Sequence, residues 1–143
     1  MQVTALGIDL AKNVLQVHGC DANGRALLRK RLARRRVLSF LANLPRCPIA
    51  MEACANAHYW AREIEKLGHQ VRLIGFKFVK PYVRANKNDA SDAETICEAA
   101  SRPSRRFAAV KTVAQQDIYA VHRVRQQLVK MRTAWVKWKA SVH

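Results

Sequence analysis

The chain has 143 residues, half of them hydrophobic, with 26 Lys and Arg against 10 Asp and Glu. That length fits one domain with a short appendage, and the apolar share supports a packed core rather than a disordered chain. A net charge of +16 and a pI near 10.6 point to polyanionic partners, nucleic acid ahead of an anionic membrane surface. No apolar run reaches the ~18–20 residues of a membrane span, and the Met1 region has no signal-peptide pattern. The expected location is therefore cytoplasmic and nucleoid-associated, with no membrane partner. Cys20, Cys47, Cys54 and Cys97 are widely spaced and contain no C-x-x-C pair, so reduced, mostly buried thiols are expected rather than a zinc site or a disulfide framework.

In chain order, Val3 to Leu10 reads as a buried first strand with Asp9 near its end. Asn13 to Gly19 alternates apolar and polar residues as a half-buried strand does. Asp21 to Gly24 is a turn, and Arg25 to Arg31 returns as a third, antiparallel strand. Val37, Leu38, Leu41 and Leu44 share one face of a short helix that stops before Pro45. Cys47 to Met51 is a central strand with Glu52 at its tip. His58 to Leu67 is a helix with Trp60, Ile64 and Leu67 inward, closed by Gly68 as a left-handed cap. Gln70 to Ile74 is the fifth strand. A basic connection, Phe76 to Lys87, leads to a helix over Asp89 to Ala100. Pro103 ends that region, and a last helix covers about Val113 to Trp138. This order of elements is that of an RNase H-like α/β fold with a mixed five-stranded sheet and flanking helices.

Four of the ten acids stand out against the basic background: Asp9, Glu52, Asp89 and Asp92. Acids at strand tips raise each other's pKa when they converge, unless a divalent cation neutralises them. Hard oxygen donors of this kind suit Mg²⁺ or Mn²⁺, which can bridge the phosphate of a nucleic acid. Asp89 and Asp92 are three apart and share one helix face. Each acid alone has a plainer reading. Asp89 can be an N-cap, Ser91 and Glu94 have capping-box spacing, Glu52 can be a surface residue and Asp9 a turn acid. Jointly they read as a metal site, because a buried G-I-D-L strand has little use for an unpaired Asp.

Five segments then follow in order: G-I-D-L-A-K from Gly7, M-E-A-C and H-Y-W around Glu52, G-H-Q-V-R-L-I from Gly68, V-K-P-Y-V with N-K-N-D-A-S-D-A-E, and V-K-T-V with H-R-V-R-Q-Q-L-V-K. Together, over about residues 3 to 133, they resemble the N-terminal part of the DEDD-type insertion-sequence transposases, relatives of the Piv-type DNA invertases. The resemblance implies a RuvC-like domain over 1–103 and a helical extension over 104–143 that begins a coiled-coil arm. It implies Asp9, Glu52, Asp89 and Asp92 as catalytic, metal-binding carboxylates for DNA strand cleavage and exchange in transposition. It also implies a structured guide RNA as partner and a C-terminal domain with a serine nucleophile. Trp135 to His143 departs from the usual continuation and is too short for that domain, so the chain is expected to be a truncated transposase.

The basic residues form two series with a phosphate-binding character: Arg34, Arg35 and Arg36, and Lys77, Lys80, Arg84 and Lys87. The second series is spaced by threes and fours, which makes one stripe on a helix. Phe76, Phe78 and Tyr82 interleave with it and can stack on bases or pack beneath it. Val121, Val124, Leu128, Met131, Trp135 and Trp138 follow heptad spacing, which suits a homo-oligomer through the last helix or a helix packed on its own domain. His18, His58, His69, His122 and His143 show no ligand spacing. Two rival readings stay open: an inactive nucleic-acid-binding and dimerisation module, and an actin-like ATP-binding fold opened by G-I-D-L, for which length and a second glycine motif are lacking.

Overall fold

The computed structural model describes residues 2–75, 77, 89–100 and 106–142, with the side chains of 89–92 outside that set. Two compact units are present, Met1–Val110 and Lys111–His143. The first opens with strands β1 (Ala5–Leu10), β2 (Val14–Cys20) and β3 (Ala26–Ala33). These form an antiparallel meander, as the alternation and the Asp21–Gly24 turn predict. Gly24 closes that turn at φ +78°, a left-handed conformation that suits glycine, and Asp21 Oδ1 accepts from the amides of Asn23 and Arg25, both at 2.9 Å.

A single turn of 3₁₀ helix, Arg34–Arg36, leads into α1 (Val37–Ala42). Then come β4 (Pro48–Glu52), α2 (Ala57–Lys66) and β5 (Gln70–Ile74). In α2 the buried face is Ala57, His58, Trp60, Ala61 and Ile64, and Gly68 at φ +89° ends the helix with its amide on Glu65 O at 2.9 Å. The parallel pairs β1–β4 and β4–β5 complete a mixed sheet of order β3-β2-β1-β4-β5. Helix α3 (Asp89–Ala100) follows, and Ala108 bridges to Leu73 on the free side of β5.

Each sheet face carries its own core. Leu6, Ile8, Leu15, Val17, Ile49, Met51 and Leu73 turn to the α1–α2 side and pack on Val37, Leu41, Trp60, Ala61 and Ile64. Fully burying an aliphatic side chain of this kind is worth about 1.5–3 kcal/mol. On the other face Ala50 and Ile74 pack on Ile96, Ala99 and Ala100 of α3. The second core is made of smaller residues, so α3 lies close on the sheet. Gly7 shows how close. A Cβ placed there would strike the Ala93 carbonyl oxygen and sit 2.8 Å from the Cys97 amide nitrogen.

The second unit is helix α4 (Val113–Ser141), a little longer than expected. Thr112 caps it in a full capping box: its hydroxyl accepts from the Gln115 amide at 3.2 Å, and the Gln115 side chain accepts from the Thr112 amide at 2.9 Å. No helix among the described residues is long and apolar enough to cross a membrane.

Candidate metal centre and nucleic-acid interface

The parallel register of β1 and β4 pairs Gly7 with Ala50 and Ile8 with Met51. Asp9 and Glu52 each come one residue later. Ile8 and Met51 are fully buried on the α1–α2 side, so by strand alternation Asp9 and Glu52 turn to the α3 side. They stand on adjacent strands, about 4.8 Å apart in backbone spacing. Both are partly exposed at the C-terminal end of the parallel pair.

The direction of α3 determines where its acids lie along the sheet. Cys97 Sγ is 3.1 Å from Cys20 Sγ, and Cys20 is the partner of Ala5 at the start of β1. One turn earlier, Ala93 lies over Gly7. The helix therefore runs back along β1, and its first turn, with the backbone of Asp89 and Asp92, is at the Asp9 end. The side chains of Asp89 and Asp92 lie outside the described residues. Among the described residues no group of three or more His, Cys, Asp or Glu could hold a metal ion.

The donor chemistry at this edge fits a hard cation. Four of the softer donors of the unit, His69, Cys47, Cys20 and Cys97, are engaged elsewhere. His69 accepts from the Cys47 amide through Nδ1 at 3.3 Å and donates from Nε2 to Leu41 O at 3.0 Å. Cys20 and Cys97 contact each other in the α3 layer, and burial pushes the Cys97 thiol well above the ordinary thiol range. Burial also raises the Cys47 thiol, with Cys20 adding to it. None of the four cysteines forms a disulfide, and Cys54 is the exposed one.

Across the sheet, Asp9 is the registered partner of Gln16, and Gln16 of Arg31. One row further, Gly7 pairs with His18, and His18 with Arg29. Directly opposed residues share a face, so Arg29, Arg31, Gln16 and His18 all lie on the carboxylate side. With Val17, Lys30 and Ala93 they line a cleft of about 130 Å³. Arg29 reaches Glu94 of α3 at 3.5 Å, an exposed pair. His18 is buried, and its Nδ1 has no hydrogen-bond partner among the described residues. Burial lowers its pKa, with Glu94 opposing that shift and Arg29 adding to it, so the ring is neutral near pH 7.

The basic residues singled out from the sequence fall elsewhere. Arg34 donates to Lys12 O at 3.3 Å and lies over the Trp60 ring at 5.2 Å, on the α2 side of the sheet. Arg35 and Arg36 are exposed beside it. Lys77 is exposed, whereas Lys80, Arg84 and Lys87 lie outside the described residues. Arg29 and Arg31 were not among those candidates. The signal for them was the alternation R-K-R in β3, but its face depends on the register with β2. In α4 the heptad residues Val121, Val124, Leu128, Met131, Trp135 and Trp138 are all exposed within their own unit.

A DEDD transposase family model of the IS110 type, described as "Transposase", matches residues 6–139. A Pseudomonas aeruginosa protein named "Probable family 20 transposase" is 55% identical over 134 residues, covering 94% of this chain and 40% of that protein. The "Transposase for insertion sequence element IS1328" of Yersinia enterocolitica is 53% identical over 130 residues, covering 91% of this chain and 39% of that one. The chain thus spans about two fifths of the length of these relatives. Among solved structures, Thermus thermophilus RuvC in complex with a Holliday junction substrate superposes with a TM-score of 0.52 at 17% identity, over 69% of this chain and 92% of that one. A second Thermus thermophilus RuvC structure gives 0.50 at 15% identity, over 66% and 90%. The structural likeness establishes a RuvC-like, RNase H-type fold, as the element order predicted. The family match over nearly the whole chain is decisive: this chain belongs to the IS110-type DEDD transposase family.

Proposed function

We propose that this chain is the DNA-cleaving, RuvC-like part of an insertion-sequence transposase, with Asp9, Glu52, Asp89 and Asp92 as its metal-binding carboxylates. The observation that carries the reading is the register of β1 and β4, which sets Asp9 and Glu52 side by side on the α3 face. The first turn of α3, with the backbone of Asp89 and Asp92, runs to the same end of β1.

Asp9 and Glu52 are rigidly based on central strands, which is what a pre-organised ligand set needs. A divalent cation held by these carboxylates would relieve their mutual repulsion. Bound there, Mg²⁺ or Mn²⁺ supplies Lewis-acid stabilisation of charge on the phosphate and a nucleophilic water or hydroxyl at neutral pH. The protein's own part is to orient the carboxylates and to hold the DNA backbone with surrounding cations. The helical unit from Lys111 presents an exposed apolar seam, which supports assembly of copies through α4 as a coiled coil. A structured guide RNA and action at the nucleoid fit the net charge of +16.

The test is cleavage of labelled duplex and four-way junction DNA by this chain under Mg²⁺ or Mn²⁺. Cleavage that disappears in Asp9→Asn and in Glu52→Gln, with folding intact by circular dichroism, is the expected result. Salt-sensitive binding without cleavage under any divalent ion would leave only a nucleic-acid-binding module.

A further inference from the structure

We infer that the cleft formed by Arg31, Gln16, Arg29 and His18 is a DNA phosphate subsite that positions the strand for the Asp9–Glu52 edge; this rests on the function proposed above. Three observations converge. The first is placement: Arg31, Gln16 and Asp9 occupy one transverse row through consecutive register pairs, with Glu52 on the next strand. Two strand spacings separate Arg31 from Asp9, about 10 Å between backbones. At 3.4 Å of rise per nucleotide, a phosphate at Arg31 lies within about three nucleotides of one at the carboxylates.

The second is chemistry. The cleft has an exposed guanidinium in Arg31, an amide donor in Gln16 and a second guanidinium in Arg29. Guanidinium and amide donors together suit a phosphodiester oxygen pair, which a planar Arg fork can grip in bidentate fashion. Glu94 pairs with Arg29 at 3.5 Å, which leaves Arg31 as the cleft guanidinium outside any ion pair among the described residues. The third is the buried His18, whose Nδ1 has no partner among the described residues. Buried polar atoms are rarely left orphaned, and a neutral imidazole next to the cleft can take a water that bridges to a bound phosphate.

Lys30 supplies a built-in comparison. It borders the cleft between Arg29 and Arg31, yet its side chain leaves by the opposite face of β3, with the ammonium 4.9 Å from the centroid of the Phe40 ring. A generic electrostatic surface would use Lys30 and Arg31 alike, whereas a subsite on the carboxylate face uses Arg31 and not Lys30.

The experiment compares wild type, Arg31→Ala, Arg31→Lys and Lys30→Ala of this chain. A fluorescent duplex is titrated by anisotropy at several salt concentrations, with Ca²⁺ replacing Mg²⁺ to hold back cleavage. Arg31→Ala is expected to weaken binding about tenfold and to flatten the log–log salt slope by about 0.9, the value of one phosphate contact. Arg31→Lys should recover the slope but not the full affinity, and Lys30→Ala should match wild type. Unfolding curves that coincide for the four proteins exclude a folding effect. Equal losses in Arg31→Ala and Lys30→Ala, or none in either, overturn the subsite, as does a wild type that does not bind the duplex. The two claims fail separately. Metal-dependent cleavage lost in Asp9→Asn alongside identical Lys30 and Arg31 variants removes the subsite and leaves the nuclease. The Arg31 contrast without cleavage under any metal leaves the subsite and removes the nuclease.

Discussion

Gly7→Ala tests how tightly α3 is laid on the sheet. The added Cβ would sit 2.8 Å from the Cys97 amide nitrogen, where ordinary contact begins at 3.4 Å, so α3 must retreat by at least 3.4 − 2.8 = 0.6 Å. The clash with the Ala93 carbonyl requires more, and both obstacles are helix backbone that cannot rotate away. A radial gap of ~0.5–1 Å forfeits a quarter to a half of the dispersion contact it opens. The layer beneath holds Ile74 and Ile96, whose burial is worth about 3–6 kcal/mol together, so the loss is about 1–3 kcal/mol. With a urea m-value of about 2 kcal/mol/M, the unfolding midpoint followed by far-ultraviolet circular dichroism should fall by about 0.5–1.5 M. Gly24→Ala is the control, because nothing lies within 4 Å of its Cβ and only the left-handed backbone costs energy. If Gly7→Ala unfolds within about 0.2 M of wild type, the close packing of α3 on β1 is refuted.

Other consequences follow from buried groups and backbone. With an alkylating reagent, native protein should be labelled at Cys54, while Cys20, Cys47 and Cys97 react only after unfolding, which peptide mass mapping reads directly. Cys47 and Cys97 have thiol pKa values raised above the ordinary 9.0, so their contribution to stability is complete below pH 9 and declines as pH rises past it. Urea midpoints measured on either side of pH 9 should drop, and Cys97→Ala should lessen the drop. His18 shifts the opposite way: burial holds its pKa below 6.5, so its contribution is present above pH 6.5 and is lost as pH falls through its folded value. His18→Gln should flatten that acid limb of the stability profile; an unchanged limb would show that His18 is not its source. Gly68→Ala places a Cβ at φ +89° and 2.7 Å from Arg46 Nε, and should cost about 1–2 kcal/mol in the same unfolding assay, less with Asn at that position.

Much of the architecture was legible because each element carries its own local chemistry. The G-I-D-L strand, the Asp21–Gly24 turn, the Gly68 cap and the helix from Asp89 each depend on residues close in sequence, and all are found at or within a few residues of the expected bounds. The pairing of Asp9 with Glu52 could also be anticipated, since both lie at the ends of apolar strands and family resemblance joined them. The surroundings of the basic residues were less legible, for a physical reason. Arg34 reads as an open cation in sequence, yet it is used to cover Trp60 on the far side of the sheet.

The two Arg residues of β3 illustrate where local reading ends. Cys20 pairs with Ala26, and that register carried down the strands would set Gln16 against Lys30 and turn Arg29 and Arg31 towards the apolar core. A bulge between Gly19 and Cys20 shifts the pairing by one residue, so Gln16 meets Arg31 instead. Because side chains alternate along a strand, one residue of slip exchanges the two faces completely. The amino-acid sequence by itself determined the elements, their order and the family. The tertiary structure decided that Arg29 and Arg31, rather than Lys30, share the sheet face of Asp9 and Glu52, because that depends on register between strands, which is not a local property of the chain.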